Sequence, residues 1–221
     1  MIRAPHIVWD WNGTLLGDGR IMMRSVIAAF ACAGLPAVTI EDHRRHFTRP
    51  ISTFFERLAK RPLSAADHGA IQQFFEAAYQ GLAVHLTLSP HASEVLEKWA
   101  AAGRTQSLLS MHPHEKLIPE IEKYGIADFF VRADGYKGYG ADTKADHLKA
   151  HLAALGDPSP DNVILIGDTL DDAVAARNAG LKCVIFHDAF NALQDLGHFD
   201  HLTVPVIRSL PEILGHFECW R

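Results

Sequence analysis

Cysteine is scarce: Cys32, Cys183 and Cys219 are the only three, far apart and odd in number. That excludes a disulfide framework and a zinc pattern, and reads as isolated buried or partly buried thiols in a reducing cytoplasm. No apolar run approaches the roughly 18–20 residues that a membrane span requires. The opening MIRAPHIVWDWNG has too short an apolar stretch for a signal peptide and leads straight into polar residues. Positive charge is also in short supply, with 21 Lys and Arg against 26 Asp and Glu and a formal net charge of -5. Such a chain carries no basic footprint for nucleic acid. The 14 histidines are scattered, and none has the H-E-x-x-H spacing. His112 and His114, either side of Pro113, lack the further ligands at suitable spacing that a metal site needs.

The chain does have apolar material, 48% of 221 residues, enough for a sizeable core. Its length allows one medium domain or a core domain with an insert. Short apolar runs alternate with helical patterns. Strands are expected at 6–10, 104–110, within 127–134, at 162–168, at 182–187 and, at an edge because of Pro205, at 203–207. The run at 162–168 is uninterrupted, as in a strand buried on both faces. Helical patterns at 91–102, 114–124, 143–155 and 171–179 each stop at a glycine. Strand, helix, strand in this order predicts an α/β fold with a parallel sheet covered on both faces. The interval from about 20 to 85 differs, with helical segments at 21–33, 50–60 and 66–82 and no buried-strand run. It reads as a helical insert after the first strand.

Acidic residues close two of the strands, Asp10 the first and Asp168 the fourth. In an open parallel sheet, ligands gather beyond the carboxyl ends of the strands. Two carboxylates there repel one another unless a cation lies between them, and hard oxygen ligands suit Mg²⁺ beside a phosphate. In Asp10-Trp11-Asn12-Gly13-Thr14-Leu15, Gly13 permits a sharp turn whose N–H groups form a concavity for an anion. Thr14 is expected to fix that turn by a side-chain hydrogen bond. Asp10 is placed to attack phosphorus. Ser110, ending the second strand, can donate to a phosphate oxygen, with Met111 beside it. Lys144, opening a helix, can neutralise the charge of phosphoryl transfer; Lys137 in the preceding loop is its rival. In Gly167-Asp168-Thr169-Leu170-Asp171-Asp172 a strand delivers Asp168, and Asp172 falls near a helix N-terminus, where negative charge is favoured.

Taken in order, these pieces resemble the four motifs of the haloacid dehalogenase-like superfamily. Asp-x-Asp-x-Thr is matched by Asp10, Asn12 and Thr14; the Ser/Thr motif by Ser110; the lysine by Lys144; and Gly-Asp-x-x-x-Asp by Gly167, Asp168 and Asp172. The insert is similar to the helical cap of the phosphoglycolate phosphatase-like branch. The resemblance implies a Rossmann-like core over 1–17 and 86–221 and a small all-helical cap over 18–85. It also implies Mg²⁺ held by Asp10, Asp168, the backbone carbonyl of Asn12 and, directly or through water, Asp172. It further implies a cytoplasmic phosphoric monoester hydrolase, monomer or homodimer, acting on a small phosphorylated metabolite through an aspartyl-phosphate. Gly13, Ser110, Met111, Lys144 and, from the insert, Arg49 are the expected substrate contacts, with Arg45 and Lys60 as further candidates. Neither nucleic acid nor a membrane is an expected partner.

The pattern breaks at Asn12. Family phosphatases carry there the aspartate that protonates the leaving group and then activates water. A neutral amide does neither. Three consequences are open: a leaving group, such as an acyl phosphate, that needs little protonation; a substitute acid/base, with His112 and Asp18 as candidates; or a weak or non-catalytic binding protein. Deamidation at Asn12-Gly13 is a further route to the missing acid. Phosphoryl transfer to an acceptor other than water stays open, whereas carbon–halogen hydrolysis is disfavoured by the complete acidic metal motif.

Overall fold

The computed structural model describes residues 5–138 and 143–216. Cys219 therefore lies outside the described residues, as do Tyr139 and Gly140 beside the Lys137 loop. Six strands, β1 His6–Trp9, β2 Thr105–Pro113, β3 Ala133–Tyr136, β4 Val163–Gly167, β5 Lys182–Phe186 and β6 Val206–Ile207, form one sheet. The order is β3-β2-β1-β4-β5-β6, and every pairing is parallel. This is the doubly wound order, with its crevice where the direction of winding reverses beside β1. The register that sets Trp9 against Ile166 brings the carboxyl ends of β1 and β4 together.

Helices cover both faces. On one side α5 Ala92–Ala101, α6 His114–Lys123 and α9 Glu212–His216 close a core around Ile7, Trp9, Trp99 and Leu117. On the other, α7 Lys144–Ala154 and α8 Leu170–Asn178 cover Val8, Leu109, Val163 and Leu165. Strands β1 and β4 are buried along their whole length, which explains why 7–9 and 163–166 are unbroken apolar runs rather than alternating ones. The small residues Ala173, Ala175 and Ala176 are buried in α8 and let it lie close to the sheet.

Helices α1 Gly19–Cys32, α2 Ile40–His46, α3 Ile51–Ala59 and α4 Ala65–Leu82 follow β1. They enclose their own apolar cluster, centred on Met23, Phe30, Phe54, Phe55 and Ile71. Thr39 and Ser64 start α2 and α4 with reciprocal caps to Asp42 and Asp67, satisfying N–H groups the helix leaves open. No helix among the described residues is long and apolar enough to cross a membrane.

Three sequence expectations are corrected. The third strand is Ala133–Tyr136, whereas Ala127–Phe129 is a 3-10 turn: Phe129 and Phe130 pack sideways against the core and Val131 is exposed. The second strand does not end at Ser110 but runs on to Pro113, with a register irregularity against β3 between Leu109 and Pro113. Cys32 is exposed rather than buried, while Cys183 is buried.

Candidate active site

Asp10 leaves β1 with its N–H donating to the Ile166 carbonyl at 2.8 Å. The chain then turns tightly: the Thr14 and Leu16 N–H groups both donate to the Trp11 carbonyl. Gly13 has φ 75°, and a Cβ there would lie 2.1 Å from Asp168 Oδ2. Only glycine lets this turn and the Asp168 carboxylate share the space. Gly167 makes the same allowance for Asp172, whose Cγ would meet a Cβ at 2.1 Å. Asp172 is fixed in turn, accepting from the Thr169 N–H at 3.0 Å and its hydroxyl at 2.7 Å.

Lys144, the first residue of α7, is buried and points into this cluster. Its Nζ lies 2.7 Å from Asp10 Oδ1 and also pairs with Asp172. Burial works against its charge, but the two carboxylates outweigh burial and hold the ammonium protonated. Asp10 is pushed up to about 6, by burial first and Asp172 second, against the pull of Lys144. Asp172 is kept below the usual carboxylate range: burial opposes its ionisation, and Lys144 with the Thr169 bonds overcomes it. Asp168 is pushed well up, by burial and by the charges of Asp10 and Asp172.

Both Asp168 oxygens are buried without a hydrogen-bond partner among the described residues. Carboxylate oxygens of Asp10, Asp168 and Asp172 lie within 4.8 Å of one another. Three buried carboxylates face one ammonium, so the cluster is short of positive charge, and its open donors are hard oxygens. Those residues fit a divalent cation of the magnesium type.

A cavity of about 440 Å³ opens above the cluster, with Asp10, Asn12, Ser110, Lys144 and Asp168 at its base and Met111, His112, Arg49 and Tyr79 on its walls. Arg49 Nε stands 3.7 Å from Asp171 Oδ2 across that cavity. Ser110 Oγ accepts from the His112 N–H at 3.0 Å. The structure thus brings together all the expected site residues except Gly13, which lies beneath the cavity. Its N–H already donates to Leu16 O at 3.0 Å and Asp18 Oδ1 at 2.8 Å, so its contribution is room, not an anion-binding donor. The Thr14 hydroxyl, expected to fix the turn, is buried without a partner among the described residues. Arg45 and Lys60 are exposed and do not line the cavity. Lys137 sits 3.7 Å from Asp134 Oδ1, away from the cluster.

The two candidates for the missing acid differ sharply. Asp18 is fully buried and spends its oxygens on Asn12 Nδ2 at 2.7 Å, the Gly13 N–H at 2.8 Å and the Tyr79 hydroxyl at 3.0 Å. It anchors Asn12 and the turn. His112 stands in the cavity wall, its Nε2 3.2 Å from Glu120 Oε1. Glu120 Oε2 accepts from the indole N–H of Trp11 at 2.9 Å. Glu120 and Tyr79 carry no motif and went unseen in the sequence; only packing of α6 and α4 over the strand ends brings them in.

A parallel sheet in this order, with carboxylates and a lysine at its strand ends below a helical cover, defines a hydrolase of the doubly wound α/β class. The family model for haloacid dehalogenase-like hydrolases matches residues 5–180. The chain belongs to that family. It is 26% identical over 182 residues to a phosphoglycolate phosphatase of Vibrio parahaemolyticus, covering 79% of each chain. It is 23% identical over 219 residues to one of Agrobacterium fabrum, covering 96% of this chain and 88% of the relative. Among solved structures, a haloacid dehalogenase-like family hydrolase from Streptococcus pneumoniae superposes with a TM-score of 0.79 at 20% identity, over 97% of this chain and 98% of that one.

Proposed function

We propose that this protein is a Mg²⁺-dependent phosphatase that hydrolyses a small phosphorylated metabolite through an aspartyl-phosphate on Asp10. The observation that carries the reading is the buried Asp10–Lys144–Asp172 ion cluster with the unpartnered Asp168 carboxylate, set under a cavity at the strand ends. Curated relatives named phosphoglycolate phosphatase support the phosphate ester as substrate class. The proposed division is a core over 1–17 and 86–221 and a cap over 18–85, supported by the separate apolar cluster of α1–α4. The scarcity of cysteine supports a cytoplasmic location.

Asp10, Asp168, Asp172 and the backbone carbonyl of Asn12 would hold the magnesium ion, which supplies Lewis-acid charge to the phosphoryl oxygens. Lys144 neutralises the Asp10–Asp172 pair and offsets charge on the transferring group. Ser110, held by the His112 N–H, donates to a phosphoryl oxygen. The Asp10 carboxylate, turned to the cavity base by its bond to Lys144, forms the new bond to phosphorus, and the ester oxygen leaves towards the cavity walls. Arg49 and Met111 contact the rest of the substrate, and the cap side of the cavity keeps water out.

The test is phosphate release from a panel of alkyl, aryl and acyl phosphates with Mg²⁺ or chelator, on wild type and Asp10→Asn. Turnover only with Mg²⁺ and with Asp10 present supports the reading; no turnover of any ester by wild type overturns it. Asn12, whose amide is turned onto Asp18, favours one second reading: a phosphate-binding protein without turnover. Mg²⁺-dependent ligand binding with no product would establish that reading instead.

A further inference from the structure

We propose that His112, oriented by Glu120, is the general acid/base of this active site and replaces the carboxyl group that Asn12 lacks. The inference rests on the phosphatase reading above. Asn12 cannot fill the role: its amide donates to Asp18 at 2.7 Å and is held there. Asp18 cannot fill it either, being fully buried, outside the cavity lining and bonded to three donors.

His112 meets the requirements one by one. It lines the same cavity as Asp10, Asn12 and Ser110, and its side chain is 18% exposed, open enough to meet a ligand and buried enough to be fixed. Its backbone N–H is tied to Ser110 Oγ, the expected phosphate contact. Its ring is fixed by Nε2 at 3.2 Å from Glu120 Oε1, while Nδ1 has no hydrogen bond to a described residue. Glu120 is itself held by the Trp11 indole, and Trp11 directly follows the nucleophile. A carboxylate that orients one ring nitrogen and supports positive charge on the ring, leaving the other nitrogen for the reacting group, is how acid/base histidines are commonly held. Imidazole takes up and releases protons near neutral pH as a side-chain type. Charged or titratable groups that share the cavity lining with it include Lys116 on the same helix as Glu120, Glu76 and Tyr79 on α4, and Arg49 and Asp171, beside the Asp10, Asp168 and Lys144 cluster.

The proton path balances in both half-reactions. As an Asp10 oxygen bonds to phosphorus and the ester P–O bond breaks, the imidazolium gives its Nδ1 proton to the leaving alkoxide. Neutral His112 then takes a proton from the attacking water as the new P–O bond forms. The Asp10–phosphoryl bond breaks, and orthophosphate, free Asp10 carboxylate and imidazolium are left. Glu120 is a positioning residue throughout.

The experiment compares the first-turnover rate of leaving-group release from an alkyl phosphomonoester with that from p-nitrophenyl phosphate, whose leaving group needs no protonation. Hydrolysis of the aspartyl-phosphate, where His112 acts as base, follows that release and does not enter the comparison. It uses Mg²⁺-loaded wild type, His112→Asn, Glu120→Gln, Asn12→Asp and the double variant His112→Asn/Asn12→Asp. General acid catalysis contributes about 10²–10⁴-fold. His112→Asn is therefore expected to lose about 100-fold or more on the alkyl ester and under about tenfold on p-nitrophenyl phosphate. Glu120→Gln is expected to show the same selectivity with a smaller loss, and the double variant to recover alkyl turnover through the restored carboxyl group. Retained aryl activity shows that the variants fold. An equal loss on both substrates, no loss at all, or a wild type that turns over aryl but no alkyl esters overturns the proposal and leaves the phosphatase reading standing. A wild type that turns over neither overturns that reading itself.

Discussion

Lys144 is the residue on which the cluster depends electrically. Among the described residues it is the single ammonium against the Asp10, Asp168 and Asp172 carboxylates. Replacing it by methionine keeps the volume and leaves Asp10 and Asp172 buried and unpaired. Breaking a buried pair in this way costs about 3–5 kcal/mol. Lys144→Met is expected to unfold at markedly lower urea than wild type in chelator, and Mg²⁺ should restore more stability to it than to wild type; an unchanged midpoint would show that the pair is not formed. Asp10 and Asp168 were legible in the sequence as acidic residues that close apolar strand runs, whereas Ser110, inside β2, and Lys144 and Asp172, at helix starts, were reached through the order of the motifs. Gly13 was legible as a glycine but not in its role, since nothing in the sequence shows that Asp18 occupies its N–H. Among Arg45, Arg49 and Lys60, only Arg49 faces the cavity, a choice made by the packing of α2 and α3.

Elements are tied by a buried polar chain distinct from the site. His151 on α7 meets Ser107 Oγ on β2 with Nε2 at 2.8 Å and Asp134 Oδ2 on β3 with Nδ1 at 2.7 Å. His6 Nε2 on β1 meets the same Ser107 hydroxyl at 2.8 Å. The order Ser, His, Asp looks hydrolytic, but Ser107 is fully buried and no member lines the cavity. A serine-directed fluorophosphonate is therefore expected to leave Ser107 unlabelled. His151→Leu, which removes one bond each from buried Ser107 and part-buried Asp134 while His6 and Arg132 still hold them, is expected to cost about 1–3 kcal/mol in a urea titration; labelled Ser107 or an unchanged midpoint would contradict this structural role.

Burial lowers the pKa of His6 to about 4, helped by His151, and that of His43 also to about 4. Both rings bind protons more weakly folded than unfolded. Between about pH 6.5 and pH 4 the unfolded chain takes up protons that the folded chain does not, so stability falls as pH falls. The urea midpoint is expected to drop across that window, and His43→Phe, placed among Phe47 and Phe54, to flatten the slope. An unchanged slope would assign the loss to other groups. Helix α2 had a readable signal in Thr39 and Asp42. Strand β3 did not, because the more apolar Phe129-Phe130-Val131 beside it serves packing rather than the sheet.

Over the whole molecule, α2 is bound to the segment after β5. Arg44 donates to the carbonyls of Ala192 at 2.9 Å and Ala189 at 2.8 Å, and Gln194 Nε2 donates to Phe47 O at 3.0 Å. These bonds set where Phe47 and Arg49 stand over the cavity. Arg44→Ala is expected to raise KM several-fold with a smaller change in kcat, since it touches no reacting group; unchanged kinetics would mean the cover is placed by apolar packing alone. The α/β sheet and its order of elements were legible because β1, β4 and β5 carry apolar runs and α5, α6, α7 and α8 each stop at a glycine. The seating of α1–α4 over the sheet was not, because it depends on side chain to carbonyl bonds that leave no periodic trace.

The central claim is that Asp10 carries the phosphoryl group. The direct measurement is rapid acid quench of the Mg²⁺-loaded enzyme during turnover, followed by peptide mass spectrometry. One phosphoryl group on the peptide that contains Asp10, absent in Asp10→Asn, is the expected result. Turnover with an unmodified Asp10 peptide, or with the phosphoryl group on another residue, would contradict the account.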